Sequence, residues 1–283
     1  MTYGYQAAES AIAGDLLRHA PEAHQTGRGS WSVALSNGRP HLVTARLDGD
    51  WLVLDTELAP GPVALLDCLE WNAALGGAAK FAVVGSSLRL RAEIPLDDDA
   101  VLGGWLGDTL AGFNSALARM HGEPACDGPA EPENAAGMDL AALCGEAGWR
   151  FSERSGGALA VDLGEAGEHA LAVPQPGGGL AVQTELLCRE AAEPAASQAL
   201  ALFLLSACGL VRMARAAARR EQQICAFLFE VRFSRPPSAA GFAHALSALS
   251  VARRLCAREA CALEREEIAR DYLAIRGWPS RPA

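Results

Sequence analysis

Lysine is nearly absent from this chain: Lys80 stands alone, and arginine supplies the other basic side chains. Lys and Arg together number 24 against 34 Asp and Glu, which leaves a net charge of -10. Such a balance excludes a binder of nucleic-acid phosphates, which needs a basic face. It also disfavours an anionic membrane surface. An acidic surface instead keeps a protein soluble and suits basic or amphipathic polypeptide partners.

Long apolar runs are missing as well. The longest, Ala199 to Cys208, falls far short of the roughly 20 residues that a membrane span needs. The opening MTYGYQAAESAIAGDLL has no basic region ahead of an apolar run, so no signal peptide is expected and the expected location is the cytoplasm. The eight cysteines never fall in CxxC spacing and mostly sit inside apolar segments. They are expected to be small buried hydrophobes in a reducing compartment rather than metal ligands or disulfides.

Catalytic signatures are lacking too. There is no GxSxG, no P-loop, no HExxH and no GxGxxG after a strand. The six histidines are scattered without ligand or triad spacing. Asp97-Asp98-Asp99 lacks the spacing of a calcium loop and reads as a helix start. These absences lead to the expectation of a chain that is not an enzyme and takes no cofactor or metal.

What is present is an architecture. Half of the 283 residues are hydrophobic and a fifth are charged, which is ordinary for globular domains and ample for two of them. A helix is expected over Glu9 to His19, followed by a polar loop from Pro21 to Ser30. Three strands follow, beginning at Trp31, His41 and Trp51, with turns at Asn37-Gly38 and Asp48-Gly49. Pro60-Gly61-Pro62 ends the meander. The stretch Ala64 to Leu96, ALLDCLEWNAALGGAAKFAVVGSSLRLRAEIPL, then gives an amphipathic helix, a stop at Gly76-Gly77 and a hairpin. In its second strand Leu88, Leu90, Ala92 and Ile94 alternate with Arg89, Arg91 and Glu93. A helix to about Met120 closes the half, with Leu102, Leu106, Leu110, Phe113 and Leu117 on one stripe.

The order then begins again. Residues 121–137 are rich in proline, glycine and acidic side chains and read as a linker. A short helix from Met138 to Ala147 precedes a strand at Trp149 to Glu153. Weaker strands follow over Ala158 to Leu163 and Ala170 to Val173, and Leu180 to Leu186 resembles Trp51 to Leu58. Leu-Arg-Ala-Glu-Ile-Pro-Leu96 aligns with Phe-Leu-Phe-Glu-Val-Arg-Phe233, which pairs Glu93 with Glu230. The chain is therefore read as α+β, with two tandem α-β-β-β-α-β-β-α domains of antiparallel sheets over residues 1–120 and 138–261, packed as an intramolecular pseudo-dimer. A C-terminal helix and tail occupy 262–283. Local propensity makes Val211 to Arg220 helical, whereas the repeat makes it the strand that matches Lys80 to Val84. The repeat is followed.

The two copies differ. Ala226 and Leu228 stand where Arg89 and Arg91 stood, and the helix ALALFLLSACGL is apolar nearly all round, whereas the first copy's helix carries Asp67, Glu70 and Asn72. A helix apolar on every side needs cover on both sides, and the other half of the chain is the nearest source. Leu202, Leu205, Ala226 and Leu228 are therefore the expected interface between the halves.

This element order, with Leu65, Leu66, Leu69, Asn72, Leu75, Phe81, Leu88, Leu90, Glu93 and Leu96 at its centre, resembles the class I type III secretion chaperones and the related YbjN-like proteins. The resemblance covers most of residues 9–120 and, more weakly, 138–258. It implies an acidic cytoplasmic protein that works as a dimer and holds an extended segment of a secreted client without ATP. Two copies in one chain depart from the single-domain form and imply a monomer containing its own pseudo-dimer. The alternative is a YbjN-like cytosolic regulatory or interaction protein. Client binding of this kind uses strand edges and apolar patches, and Trp31, Val33, Leu35, Trp149 and Phe151 are the candidate binding residues.

Overall fold

Alternation and helical stripes in the sequence become two copies of one sheet topology in the computed structural model. It describes residues 2–36, 40–59, 64–96, 99–123, 138–164, 167–175, 178–190 and 194–277. The turns expected at Asn37-Gly38 and Pro60-Gly61-Pro62, and all but the first residues of the linker, lie outside the described residues, as do Asp97 and Asp98.

The first half runs α1 (Thr2–His19), β1 (His24–Gly27), β2 (Ser30–Ser36), β3 (Pro40–Leu47), β4 (Trp51–Glu57), α2 (Leu65–Asn72), β5 (Lys80–Val84), β6 (Ser87–Pro95) and α3 (Asp99–Met120). The second half runs α4 (Leu140–Glu146), β7 (Phe151–Glu153), β8 (Leu159–Asp162), β9 (His169–Pro174), β10 (Leu180–Glu190), α5 (Pro194–Leu210), β11 (Arg215–Glu221), β12 (Ile224–Phe233), α6 (Ala239–Ala262) and α7 (Glu266–Ile275). Each half holds one six-stranded antiparallel sheet, ordered β1-β2-β3-β4-β6-β5 and β7-β8-β9-β10-β12-β11. The orders are equivalent strand for strand, which is the internal repeat expected from the sequence. Glu93 lies opposite Val53 and Glu230 opposite Gln183, so the two carboxylates occupy the same place in both sheets.

One sequence expectation changes and one open choice is resolved. β1 was expected to be a polar loop; its four residues are all exposed, so no apolar alternation marks it. Its partner in the repeat is β7, which makes Trp149 and Phe151 counterparts of β1 rather than of the strand that contains Trp31. The segment in dispute ends its helix at Leu210 and forms β11 from Arg215, as the repeat requires. Here pairing with β12 outweighs the helix preference of an alanine- and arginine-rich run.

One face of each sheet is packed. Leu90, Ala92 and Ile94 of β6 are buried with Leu106, Leu110, Phe113 and Leu117 of α3. In the second half Phe227, Phe229, Val231 and Phe233 are buried with Phe242, Leu246 and Leu249 of α6. The middle helices do not stay with their own sheets. α5 packs on β5 of the first half, and α2 packs on β11 of the second. α5 is covered from behind by α7, where the rings of Phe203 and Tyr272 meet edge to face. This exchange gives an apolar helix the second covered side that its composition demands.

Candidate functional site

The two exchanged helices cover sheet edges, and the chemistry of that seam is specific. In the β5–β6 pairing Lys80, Ala82 and Val84 face β6, so the main-chain groups of Phe81 point outward at the edge. Asn72, at the end of α2, closes both of them. Its Oδ1 accepts from the Phe81 N–H at 2.7 Å and its Nδ2 donates to the Phe81 carbonyl at 3.3 Å. The same Nδ2 donates at 2.8 Å to the carbonyl of Ala216, an outward-facing position on β11. The Ala216 N–H in turn donates to the Sγ of Cys208 at 3.0 Å. Gly209 allows the close approach: a Cβ there would stand 2.9 Å from the Val83 carbonyl oxygen. Asn72 is therefore a buried clasp, although the sequence placed it on a water-facing side of its helix.

Two buried ion pairs flank the clasp and cross it in opposite directions. Lys80 pairs with Glu93 at 2.8 Å and donates to the carbonyls of Val211 and Ala214, at 2.7 and 3.1 Å, in the second half. Arg215 pairs with Glu230 at 3.0 Å and donates to the carbonyls of Ala79 and Gly77, at 2.9 and 3.4 Å, in the first. Each cation thus caps the chain that leads into the other's strand, which is the reciprocity of a two-fold interface within one polypeptide. Burial pushes the Arg215 guanidinium pKa down, and the Glu230 carboxylate opposes that shift. Further out, Trp105 of α3 meets Phe233, and His244 of α6 meets Trp51. The seam is structural: each of its charges has a partner.

The open faces of the sheets are where the halves diverge. On the first, Arg89 of β6 reaches Asp55 at 2.9 Å and Glu57 at 3.7 Å on β4. Arg91 bonds Glu93 beside them. These long side chains lie across the strands and fill the face. On the second sheet, Ala226 and Leu228 line a cleft of about 480 Å³ with Leu171, Gln183, Glu185, Cys188, Arg219 and Ile224. A second cleft of about 570 Å³ adjoins it through His169 and is bordered by Arg150, Phe151, Ser152, Arg154 and Asp162. Together they make a shallow path across the second sheet, with an apolar floor and charged banks of both signs.

Sequence-derived candidates fall on both sides of this division. Trp31, Val33 and Leu35 are buried in the core of the first half, where they present no surface. Trp149 is half-buried, and Phe151 is exposed beside the second cleft. Leu202 and Leu205 are buried on α5, the helix that crosses the seam. Ala226 and Leu228, expected between the halves, instead line the first cleft, whose wall belongs entirely to the second half. Small and apolar residues where the first half has arginines leave this face open, while the interface forms through the strand edges. Sequence reasoning missed Asn72, Lys80 and Arg215, and the solitary lysine was the available signal.

Among the described residues no three His, Cys, Asp or Glu side chains gather where a metal could be held. The described cysteines are all free thiols, with Cys188 and Cys261 exposed. Burial pushes Cys68 and Cys256 up to about 12 and Cys144 up to about 11, so these thiols are poor nucleophiles at neutral pH. No described helix is long and apolar enough to cross a membrane.

Comparison with known proteins gives little. No family model matches the chain, and no curated protein matches it. Among solved structures, one match is the crystal structure of the di-domain ARO/CYC StfQ from the steffimycin biosynthetic pathway, 12% identical over 95% of each chain, with a TM-score of 0.15. The expectation of a chain that is not an enzyme is corrected against this match to a protein of a biosynthetic pathway and is carried no further. At that TM-score the likeness supports no statement about reaction, substrate or fold.

Proposed function

We propose that the protein binds an extended, amphipathic polypeptide segment on the open face of its second sheet, in the manner that the resemblance to type III secretion chaperones implies. The first half serves as the fixed partner of an intramolecular pseudo-dimer, and the chain acts as a monomer in the cytoplasm. The observation that supports this reading is the replacement of Arg89 and Arg91 by Ala226 and Leu228 at equivalent strand positions, which leaves the path across β8 to β12 unfilled. An apolar floor accepts alternate side chains of an extended segment. Glu185 and Glu221 on its banks face the basic side chains of an amphipathic one, while Arg219 beside them is held by Glu230 at 2.9 Å.

The test returns the arginines. Leu228 lies opposite Glu185 as Arg91 lies opposite Asp55, so the double variant Ala226→Arg/Leu228→Arg rebuilds on the second sheet the ladder that the first already tolerates. An array of fifteen-residue peptides is probed with the purified full-length protein and with this variant. The expected result is a subset of peptides retained by the wild type and lost by the variant, with thermal unfolding unchanged. Equal retention by both proteins overturns the reading.

A further inference from the structure

Every charge of the seam has a partner, but on the second sheet donors outnumber acceptors. Three guanidinium groups converge on the Glu230 carboxylate: Arg215 at 3.0 Å, Arg219 at 2.9 Å and Arg232 at 3.0 Å. Glu230 is fully buried, and among the described residues no other carboxylate pairs with any of the three. Three cations on one carboxylate leave an excess of two positive charges within the cluster. Burial pushes the Arg215 pKa down, Glu230 opposes that shift, and Arg232 adds to it as a like charge.

The corresponding ion pair on the first sheet leaves no donor over. Lys80 has three N–H groups, and Glu93 and the carbonyls of Val211 and Ala214 take one each. A guanidinium carries five. The Nε of Arg215 donates to Glu230 Oε1, and its Nη1 donates to the carbonyls of Ala79 and Gly77. Its Nη2 is buried and meets no acceptor among the described residues. Nε and Nη2 form one edge of the guanidinium, the fork that grips both oxygens of a carboxylate. Here the second oxygen, Oε2, already accepts from Arg219 at 2.9 Å and from Arg232 at 3.3 Å. A buried charged donor without an acceptor, inside a cluster of three cations, calls for a group rich in acceptor oxygens.

The cluster borders the first cleft. Gln183, which lies opposite Glu230, and Arg219 both line it. Arg219 and Arg232 are 36% and 29% exposed, so the outer side of the cluster is open to solvent. The carboxylates of the cleft, Glu185 and Glu221, lie opposite Leu228 and Ile224, off the row that holds Glu230. We infer that the three arginines form an oxyanion subsite at this end of the cleft, which takes a phosphate or carboxylate group. Planar guanidinium forks match the paired oxygens of either group. The inference does not rest on the reading of the face as a polypeptide site, since a free anion and an acidic residue of a bound segment present the same chemistry.

The test follows inorganic phosphate by isothermal titration calorimetry on the full-length protein, at constant ionic strength. Arg219→Gln/Arg232→Gln removes the two exposed forks and leaves Arg215 paired with Glu230. Arg215→Lys installs the cation that the first sheet uses and removes Nη2. Each is expected to weaken phosphate roughly tenfold or more, with folding checked by thermal unfolding. The same proteins are then compared on the peptide array. Loss of phosphate alone assigns the subsite to a free anion, whereas loss of peptides that contain Asp or Glu assigns it to the carboxylate of a bound segment. Wild type and both variants that take up phosphate equally, or not at all, and retain acidic peptides equally overturn the subsite. Ala226→Arg/Leu228→Arg reports on the polypeptide face separately, so either reading can fall while the other stands.

Discussion

In the first half Arg89 lies across the open sheet face between Asp55 and Glu57, and the outer edge strand is plugged by Gln25. In the second half the same face position is Ala226 and the outer edge strand β7 offers its main chain to solvent. Both sheets keep the parts that join them: a buried carboxylate at the same place, a cation beside it, and a helix lent to the other half. The difference teaches that the seam and the outer surface are independent parts of the fold, one alike in both halves and the other not. The joint is nearly two-fold, whereas the outer surface has been closed in one copy and left open in the other.

The most severe way to break this comparison is to attack the shared part. Glu230→Ala leaves Arg215 buried without a counter-charge, and Glu93→Ala does the same to Lys80. Each is expected to cost about 3–5 kcal/mol, measured by urea unfolding. Because the pairs are reciprocal, the two losses should be comparable, and each variant should unfold in a single transition. A biphasic curve, with one half outlasting the other, would show that the halves do not share a seam.

A smaller effect sharpens the asymmetry inside the seam. Asn72→Ala strips partners from Phe81 and from Ala216, at about 1–3 kcal/mol for each buried group left unpaired. Cys208→Ala leaves one buried group, the Ala216 N–H, without its acceptor where Asn72→Ala leaves three, and is expected to cost about a third as much. Equal losses would mean that the thiol is as strong a clasp as the amide.

The smallest effect is a pH dependence. Cys68, Cys144 and Cys256 titrate higher in the fold than the ordinary thiol value of 9.0 because burial penalises the thiolate. Above that value the unfolded chain releases protons that the folded chain still holds, so the stabilisation is complete below pH 9.0 and is lost as pH rises toward about 12. Thermal scans should show a stability that declines through that window, less steeply in Cys68→Ala. A stability that rises there would reverse the assignment.

Much of the fold was legible because it is written in local periods. The alternation from Leu88 to Ile94 and the stripe from Leu106 to Leu117 each follow one element's geometry. The repeat even settled β11 against the helix preference of its own residues. The seam was not legible, since Asn72 and Lys80 take their meaning from carbonyls more than 130 residues away. A lone lysine at the start of a strand looks like surface until its acceptors are seen. The absence of the two arginines from β12 was visible in the sequence, but it was assigned to the joint between the halves, which lies at the strand edges instead. The open edge of β7 had no signal at all, because it lies in main-chain groups that every sequence possesses.

The carbonyls that receive Lys80 have a consequence for how the protein is made. They belong to Val211 and Ala214, so the ribosome must deliver three quarters of the chain before the first half can bury its lysine with every donor satisfied. Synthesis at about 5–20 residues per second makes that wait some seconds long. Through that interval the uncovered edge of β5 is a strand seeking a partner, and on the polysome the nearest candidates are the same edges of neighbouring nascent chains.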